Sequence, residues 1–520
     1  MKRLYALSVC MLLAGVSTLF YSFKLKTEAG KIFDTVQIET GLISGVKNNS
    51  GDVIAFKGIP FAAPPVGDLR WKAPQPAKAW QGIKKCDSFG PSPMQAKPVL
   101  FMVYTSEFLI PETPISEDCL YLNIWINAKK AEKKPVFVWI YGGGFTSGGA
   151  AVPIYDGEAM AKKGIIFVSI NYRVGVFGFM AHPELTKESP DHASGNYGLL
   201  DQLAALKWIS KNIAAFGGDP RNVTIAGQSA GSMSVNCLVA SPLAKGLFNE
   251  AIAESGSLVV ANPGIKANNL QNAEEQGLKL AESVHATSLK ELRDVPAAEL
   301  MKFRGRFSPI VDGYVLPEPL PEIYASGKQN NVPLITGWNE DEAFVAGFKK
   351  KDAFIEQAKE QYGADADKFL KYFPASTDEE AMRSQIKLSR DMIFALSDYK
   401  WAGLQSIKSP VFVYNFNRKL PATADYVKYG AFHTGEVAYV MDNLKFLNRP
   451  WEPADFKLAT LMSTYWVNFI KTGNPNGKGL PLWPQFNKNS NKAMVFNETS
   501  GKEPLADKDE LDFLLSKVEQ

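Results

Sequence analysis

Five apolar runs recur along the chain: PVFVWIYG (135–142), IIFVSINY (165–172), VTIAG (223–227), VPLITG (332–337) and PVFVYNF (410–416). They are continuous rather than alternating and rich in Val, Ile and Phe, which predicts strands buried on both faces. Between them the period changes. In GNYGLLDQLAALKWISKNIAAFGGDP (195–220), Leu199, Leu203, Leu206, Ile209, Ile213 and Phe216 fall three or four apart, one face of a helix, and Gly217, Gly218 and Pro220 end it. Strands alternating with helices predict an α/β fold with a mostly parallel, doubly wound central sheet. Residues 266–304 and 351–400 read as charged amphipathic helices, expected as helical cap insertions over one end of the sheet.

No Pro/Ser-rich linker divides the 520 residues, and the proline-rich stretches GIPFAAPPVG and FGPSPMQAKP have tryptophans nearby, which suits packed loops. One large domain, residues 30–520, is the simpler organisation. Residues 1–29 read apart from it: Lys2 and Arg3 precede Leu4 to Phe23, twenty uncharged residues, and KLKTEAG follows. This is expected to be an export segment, either cleaved near Thr27 and Ala29 as a signal peptide or kept as an N-terminal membrane anchor. The expected location is secreted or periplasmic, with any membrane contact made through that segment alone.

Charge sharpens the picture once the leader is set aside. It holds four of the 57 basic residues and one of the 54 acidic ones, leaving 53 of each, without a basic cluster. Nucleic acid is therefore not an expected partner. Three cysteines remain outside the leader, Cys86, Cys119 and Cys237, enough for one disulfide and one free thiol, and Cys237 in SVNCLVAS reads as a small core residue. No His/Cys cluster has metal-ligand spacing, so no metal is expected.

The chemistry centres on VTIAGQSAGSM (223–233). A sharp turn from strand into helix holds its central residue in a strained backbone conformation, tolerated only when the residues two before and two after are small. Gly227 and Gly231 flank Ser229 at those positions. The hydroxyl is thereby thrust out over the N-terminus of the next helix, where the Ala230 amide is free to donate to an oxyanion. YGGGFTSGG (141–149) follows a predicted strand and lacks both the lysine of a phosphate-binding loop and the spacing of a dinucleotide loop. Consecutive glycines let backbone amides approach a tetrahedral intermediate, which makes Gly143 and Gly144 candidate donors beside Ala230.

A serine nucleophile needs a base oriented by a carboxylate, and behind such an elbow the three arrive in chain order serine, acid, histidine. Of the four histidines, His182 and His192 come too early, and His285 lies in the polar stretch KLAESVHATSLKEL; His433, in GAFHTGEVAYVM, remains. The acid should follow a strand end between residues 229 and 433, where VPLITGWNEDEAF offers Glu340, Asp341 and Glu342. The residues alone do not choose among them.

Eight ordered blocks, including FKGIPFAAPPVGDLRW, SEDCLYLNIW, NYRVGVFGFM, FGGDPRNVTIAGQSAG and YWVNFIKTGNPN, make the chain from about residue 35 to 497 resemble the type B carboxylesterases. That family of α/β hydrolases includes para-nitrobenzyl esterases, animal carboxylesterases and cholinesterases. The resemblance implies the α/β-hydrolase fold and selects Glu342, because the family's D-E-G motif falls on Asp341, Glu342 and Ala343. It also implies Ser255 as a supporting residue behind the acid and an Arg70–Glu117 ion pair bracing the N-terminal loops. Gln228 stands where the family usually has a glutamate beside the nucleophile, Ala343 replaces a glycine, and the choline-binding tryptophan is absent from Phe89 to Asp118. Choline esters are therefore not expected substrates. The family's disulfide would join Cys119 to the position held here by Pro93, with Cys86 as a substitute partner.

The implied activity is cofactor-free hydrolysis of uncharged, modest-sized carboxylic esters through an acyl-enzyme. Lipase or amidase chemistry on the same residues is the nearest alternative, and a non-catalytic binding member of the fold the remoter one. The apolar stretch PVLFMVYTSEFLIP (98–111) falls where related enzymes carry a loop at the rim of the substrate gorge. It could receive or cover acyl chains, or simply pack on the body.

Overall fold

The apolar runs assemble edge to edge. In the computed structural model, which describes residues 34–129, 133–260, 268–342, 347–423, 426–487 and 492–518, eleven strands form one sheet. In chain order they are β1 (Val46–Lys47), β2 (Val53–Pro60), β3 (Tyr121–Asn127), β4 (Lys134–Ile140), β5 (Ile166–Ile170), β6 (Gly218–Gln228), β7 (Glu250–Glu254), β8 (Leu334–Asn339), β9 (Val411–Phe416), β10 (Lys492–Phe496) and β11 (Gly501–Pro504). Their spatial order is β11-β10-β9-β8-β7-β6-β4-β5-β3-β2-β1. The middle seven, from β10 across to β5, pair in parallel, and antiparallel strands close both edges. This is the predicted mostly parallel, doubly wound sheet.

Burial follows from the composition of the runs. Val136 to Ile140 of β4 are all fully buried, as are all six residues of β8 and of β9. Each large apolar side chain so enclosed contributes roughly 1.5–3 kcal/mol relative to exposure, and together they anchor the strands whose C-terminal ends carry the chemistry. The predicted helix forms as α1 (Tyr197–Asn212), continues as a 3-10 turn to Phe216 and stops at Gly217, whose φ of 83° is left-handed. Gly218 and Pro220 belong not to the helix end but to β6, which starts early because Asp219 to Asn222 bulge out of register with β4.

The two cap stretches are helical, the first from Leu270 to Leu300 in three helices and the second from Lys351 to Gln405. Arg70 and Glu117 pair in two-pronged fashion, Nε to Oε2 at 2.7 Å and Nη2 to Oε1 at 2.5 Å, as the resemblance implied. The cysteines answer the open question of a Cys86–Cys119 bond: Cys86, Cys119 and Cys237 are all free and buried. Residues 1–29 and Ala343 lie outside the described residues, and no described helix is long and apolar enough to cross a membrane.

Candidate active site

The site is built where parallel strands end. β6 stops at Gln228, helix α2 (Ala230–Ala240) begins at Ala230, and Ser229 alone makes the turn, with φ 60° and ψ −124°. A side chain held there persists only because its surroundings over-determine it. Those surroundings leave no room at the flanking positions: a Cβ on Gly231 would stand 2.0 Å from the Ile140 carbonyl oxygen, and one on Gly227 2.5 Å from the Gly231 carbonyl carbon. The Ser229 N–H donates to the Glu254 carbonyl at 2.8 Å, tying the elbow to β7.

The glycine loop leaves β4 and lies directly against this turn. A Cβ on Gly142 would sit 3.0 Å from the Ser229 Cβ, so the approach requires glycine. Gly143 and Gly144 have φ of 115° and 63° and are exposed. Among the described residues neither amide finds a backbone carbonyl to donate to. Ala230 opens α2, where the first N–H groups lack intrahelical acceptors. The three expected donors therefore lie on the two segments that meet at the elbow, the loop that Gly142 brings against Ser229 and the first turn of α2.

The acid and the base arrive from β8 and from the loop after β9. His433 Nδ1 lies 3.2 Å from Glu342 Oε1, and the Ser255 hydroxyl donates to that same oxygen at 2.5 Å. Glu342 and Ser255 are fully buried and His433 nearly so. Geometry also separates the three acids. Glu340 turns to Arg390 at 3.0 Å, while Asp341 accepts the Ala431 N–H at 2.8 Å and returns its own N–H to the Ala431 carbonyl, lacing the acid loop to the histidine loop. Of the three, Glu342 meets His433. The Gln228 amide nitrogen lies 3.3 and 3.2 Å from the two ring nitrogens of His433, and its carbonyl accepts from Thr434. His182 caps a short helix by accepting the Glu184 N–H, and His285 is exposed.

Residues that the sequence did not flag complete the surroundings of the base. The Phe394 ring stacks on His433 with centroids 4.5 Å apart and planes 19° from parallel, and the Tyr104 hydroxyl donates to the His433 carbonyl at 3.0 Å. Asp398 accepts the Gly256 N–H at 3.0 Å, next to Ser255. These contacts join segments far apart along the chain and leave no periodic trace. A single aspartate inside the apolar helical stretch FALSDYKWA was the one available signal.

Three further carboxyls are enclosed nearby. Burial raises Asp398 far above the ordinary carboxylate range, helped by the charge of Glu342; burial together with the charges of Glu254 and Glu342 does the same to Glu436. Burial pushes Glu254 up to about 8, against the pull of the Trp466 indole N–H, which donates to it at 2.8 Å. These neighbours favour their neutral forms and so do not add negative charge beside Glu342. Stability is thereby tied to pH. Because the folded-state value of Glu254 lies above the unfolded one, its stabilisation is complete below about pH 4.5 and is lost as pH rises through about 8. The melting temperature should fall between pH 5 and pH 9, and Glu254→Gln, which still accepts from Trp466 but cannot ionise, should flatten that slope. Calorimetric melts across this range check it; parallel slopes would refute it.

Comparison with known proteins identifies the family. Residues 33–514 match the family model described as "Carboxylesterase family". The chain is 38% identical over 485 residues to a fumonisin B1 esterase of Sphingopyxis macrogoltabida, covering 89% of this chain and 86% of that one. It is 34% identical to a para-nitrobenzyl esterase of Bacillus subtilis (strain 168), covering 89% and 94%, and 34% identical to a cocaine esterase of Oryctolagus cuniculus, covering 87% and 89%. A fold with a strained serine elbow at the C-terminal end of a central strand and similarity running through nearly its whole length lead to one assignment: the chain belongs to the carboxylesterase family and is an α/β hydrolase that cleaves carboxylic esters.

Proposed function

We propose that hydrolysis proceeds by two-step acyl transfer on Ser229, with uncharged carboxylic esters of modest size as substrates. His433 takes the hydroxyl proton as Ser229 attacks the ester carbonyl. Glu342 holds the imidazole with its Nδ1–H toward the carboxylate and stabilises the cation that forms. The amides of Gly143, Gly144 and Ala230 receive the oxyanion, a donor set in which each member is worth about 10²–10³ in turnover. His433 then protonates the departing alcohol, and water repeats the sequence on the acyl-enzyme. No metal or cofactor enters these steps.

The observation that carries this reading is the buried Glu342–His433 pair at 3.2 Å, with His433 also against Gln228, the chain neighbour of a serine at φ 60°. A fluorophosphonate probe should label the protein once, with the adduct mapping to Ser229 by peptide mass spectrometry. Label that persists in Ser229→Ala would overturn the assignment. The export segment is proposed to place the enzyme outside the cytoplasm.

Neutral substrates are supported by Gln228, which puts an amide where a carboxylate would attract a cationic alcohol. The 98–111 stretch supports an acyl-chain role. Its turn exposes Val99, Leu100, Phe101 and Met102 by 47–72%, and Tyr104 beneath it stacks on Phe101 at 4.8 Å while bonding the His433 carbonyl. Val99→Ser with Leu100→Ser spares Tyr104 and should lower kcat/KM for a nitrophenyl decanoate at least about five-fold, the acetate staying within about two-fold. Partial burial of two apolar side chains against a long chain is worth about 1 kcal/mol. Equal losses on both esters would assign the turn to packing alone.

A further inference from the structure

Arg390 is fully buried at the end of helix α3 (Asp378–Arg390). Its guanidinium joins three separate parts of the chain. Nη1 reaches Glu340 Oε2 at 3.0 Å, just ahead of Glu342; Nε donates to Asp391 Oδ1 at 2.8 Å; Nη2 donates to Asp507 Oδ2 at 2.8 Å. Asp507 immediately precedes the C-terminal helix (Lys508–Val518). Glu510 of that helix lies 3.7 Å from Nη2, and Lys387, one turn back on α3, pairs with it. The oxygens of Asp391, Asp507 and Glu510 converge closely enough to suggest a metal site, but two cationic side chains already serve them.

Beyond Arg390 the helix changes pitch. Residues Asp391–Ala395 wind as a π-helix, one wide turn between α3 and helix α4 (Leu396–Gln405). Such turns are uncommon and recur at functional sites. Their wider winding rotates the side chains beyond them relative to a regular helix. Here the turn delivers Phe394 flat onto the His433 ring, and Asp398, early in α4, receives the Gly256 N–H beside Ser255. One buried cation thus sits at the root of two routes to the acid and base, through Glu340 to the acid loop and through the π-turn to the histidine ring. A planar fork serves this better than a point charge, because three differently placed oxygens are met by one rigid group.

We infer that Arg390 is a positioning residue for ester hydrolysis, holding the Glu340–Glu342 loop and the π-turn in the register that aligns Glu342, His433 and Phe394, with the C-terminal helix as its outer anchor. This role rests on the one proposed for Glu342 and His433. Neither Asp507 nor Glu510 touches the nucleophile, base or acid, so a kinetic effect from that end separates positioning from direct participation.

The test uses the full-length enzyme with Arg390→Lys, Arg390→Gln and Asp507→Asn. Each is measured for kcat and KM on nitrophenyl acetate at pH values from about 5 to 9, well below its melting temperature. Arg390→Gln should lower kcat about 10- to 100-fold with KM within about two-fold. It should also move the acid limb of the kcat/KM profile to lower pH, since a histidine less tightly paired with its carboxylate loses its proton more readily. Arg390→Lys should recover part of both, and Asp507→Asn should lower kcat about two- to five-fold. Lower melting temperatures with wild-type kcat and an unmoved acid limb would overturn the inference, leaving the cluster as scaffold. Should Arg390→Gln not fold, Arg390→Lys and Asp507→Asn decide the question by the same two readouts. If fluorophosphonate fails to label Ser229 in the wild type, the reading of the active site fails first, and the two failures are distinguished.

Discussion

Replacing Ser229 with alanine should reduce kcat on a nitrophenyl ester by about 10⁴- to 10⁶-fold while the protein melts at or above the wild-type temperature. The size of the loss follows from the proposed role of the hydroxyl as the atom that forms the acyl bond: without it His433 has nothing to deprotonate, and only the proposed amide donors and substrate binding remain to help water attack. The stability expectation follows from the backbone. Alanine at φ 60° is as strained as serine, so nothing is gained there. Ser229 is, however, only half-buried, so the loss of its hydroxyl opens no cavity in a packed core. Stopped-flow absorbance checks the mechanism further, because the wild type should release a burst of nitrophenol equal to the enzyme concentration whenever deacylation is slow. A variant retaining even a tenth of wild-type turnover would make another residue the nucleophile.

How far the sequence foretold this arrangement depended on whether a residue acts through its own chain neighbours or through partners brought from elsewhere. Ser229, Gly227 and Gly231 declared themselves, because the constraint on an elbow is local: Gly231 must be bare to pass Ile140. The five buried runs were equally plain, since central parallel strands have no polar face to interrupt them. Glu250–Glu254 escaped notice because a five-residue strand bounded by glutamates looks like a turn until its edges are seen lying between β6 and β8. The early start of β6 was masked by the polar bulge at Asp219–Asn222. Among Glu340, Asp341 and Glu342, charge and position were equivalent; family resemblance pointed to the third, and the structure gives each a different partner. Phe394 and Arg390 were not legible at all, and Tyr104 only as part of the 98–111 stretch, for what they do is defined by contacts with His433 or Glu340 that local sequence does not encode. The suggested Cys86–Cys119 bond came from analogy alone, and both thiols are free.

The second large effect concerns the carboxylate. Glu342→Gln preserves volume in a fully buried site, so the substitution isolates charge and hydrogen-bond polarity from packing. In the wild type Oε1 accepts from Ser255 at 2.5 Å and faces His433 Nδ1 at 3.2 Å, an arrangement that, in the proposed mechanism, holds the Nδ1 proton on the acid side of the ring and leaves the other nitrogen as the base for Ser229. In the glutamine variant a carbonyl oxygen at the Oε1 position can accept from both Ser255 and Nδ1–H, while the NH₂ takes the place of Oε2, which has no hydrogen-bond partner among the described residues. The ring then keeps its tautomer, and the substitution removes charge alone. The developing imidazolium loses its counter-charge. That loss should lower kcat by about 10²- to 10⁴-fold, the upper end being the scale of a full tautomer reversal in a serine hydrolase, with KM changed less than about three-fold. Ser255→Ala removes one hydrogen bond to a charged group, worth about 1.5–3 kcal/mol, and should cost no more than about 10- to 100-fold. Nitrogen-15 NMR of the imidazole at neutral pH, read beside the kinetics, should show the protonated ring position retained in both Glu342→Gln and Ser255→Ala, so that the kinetic loss in the first reads the missing charge. A glutamine variant with near-normal turnover would transfer the orienting role to one of the neighbouring buried carboxyls, Glu436 or Asp398, and would require the proton that burial keeps on that group to have left it.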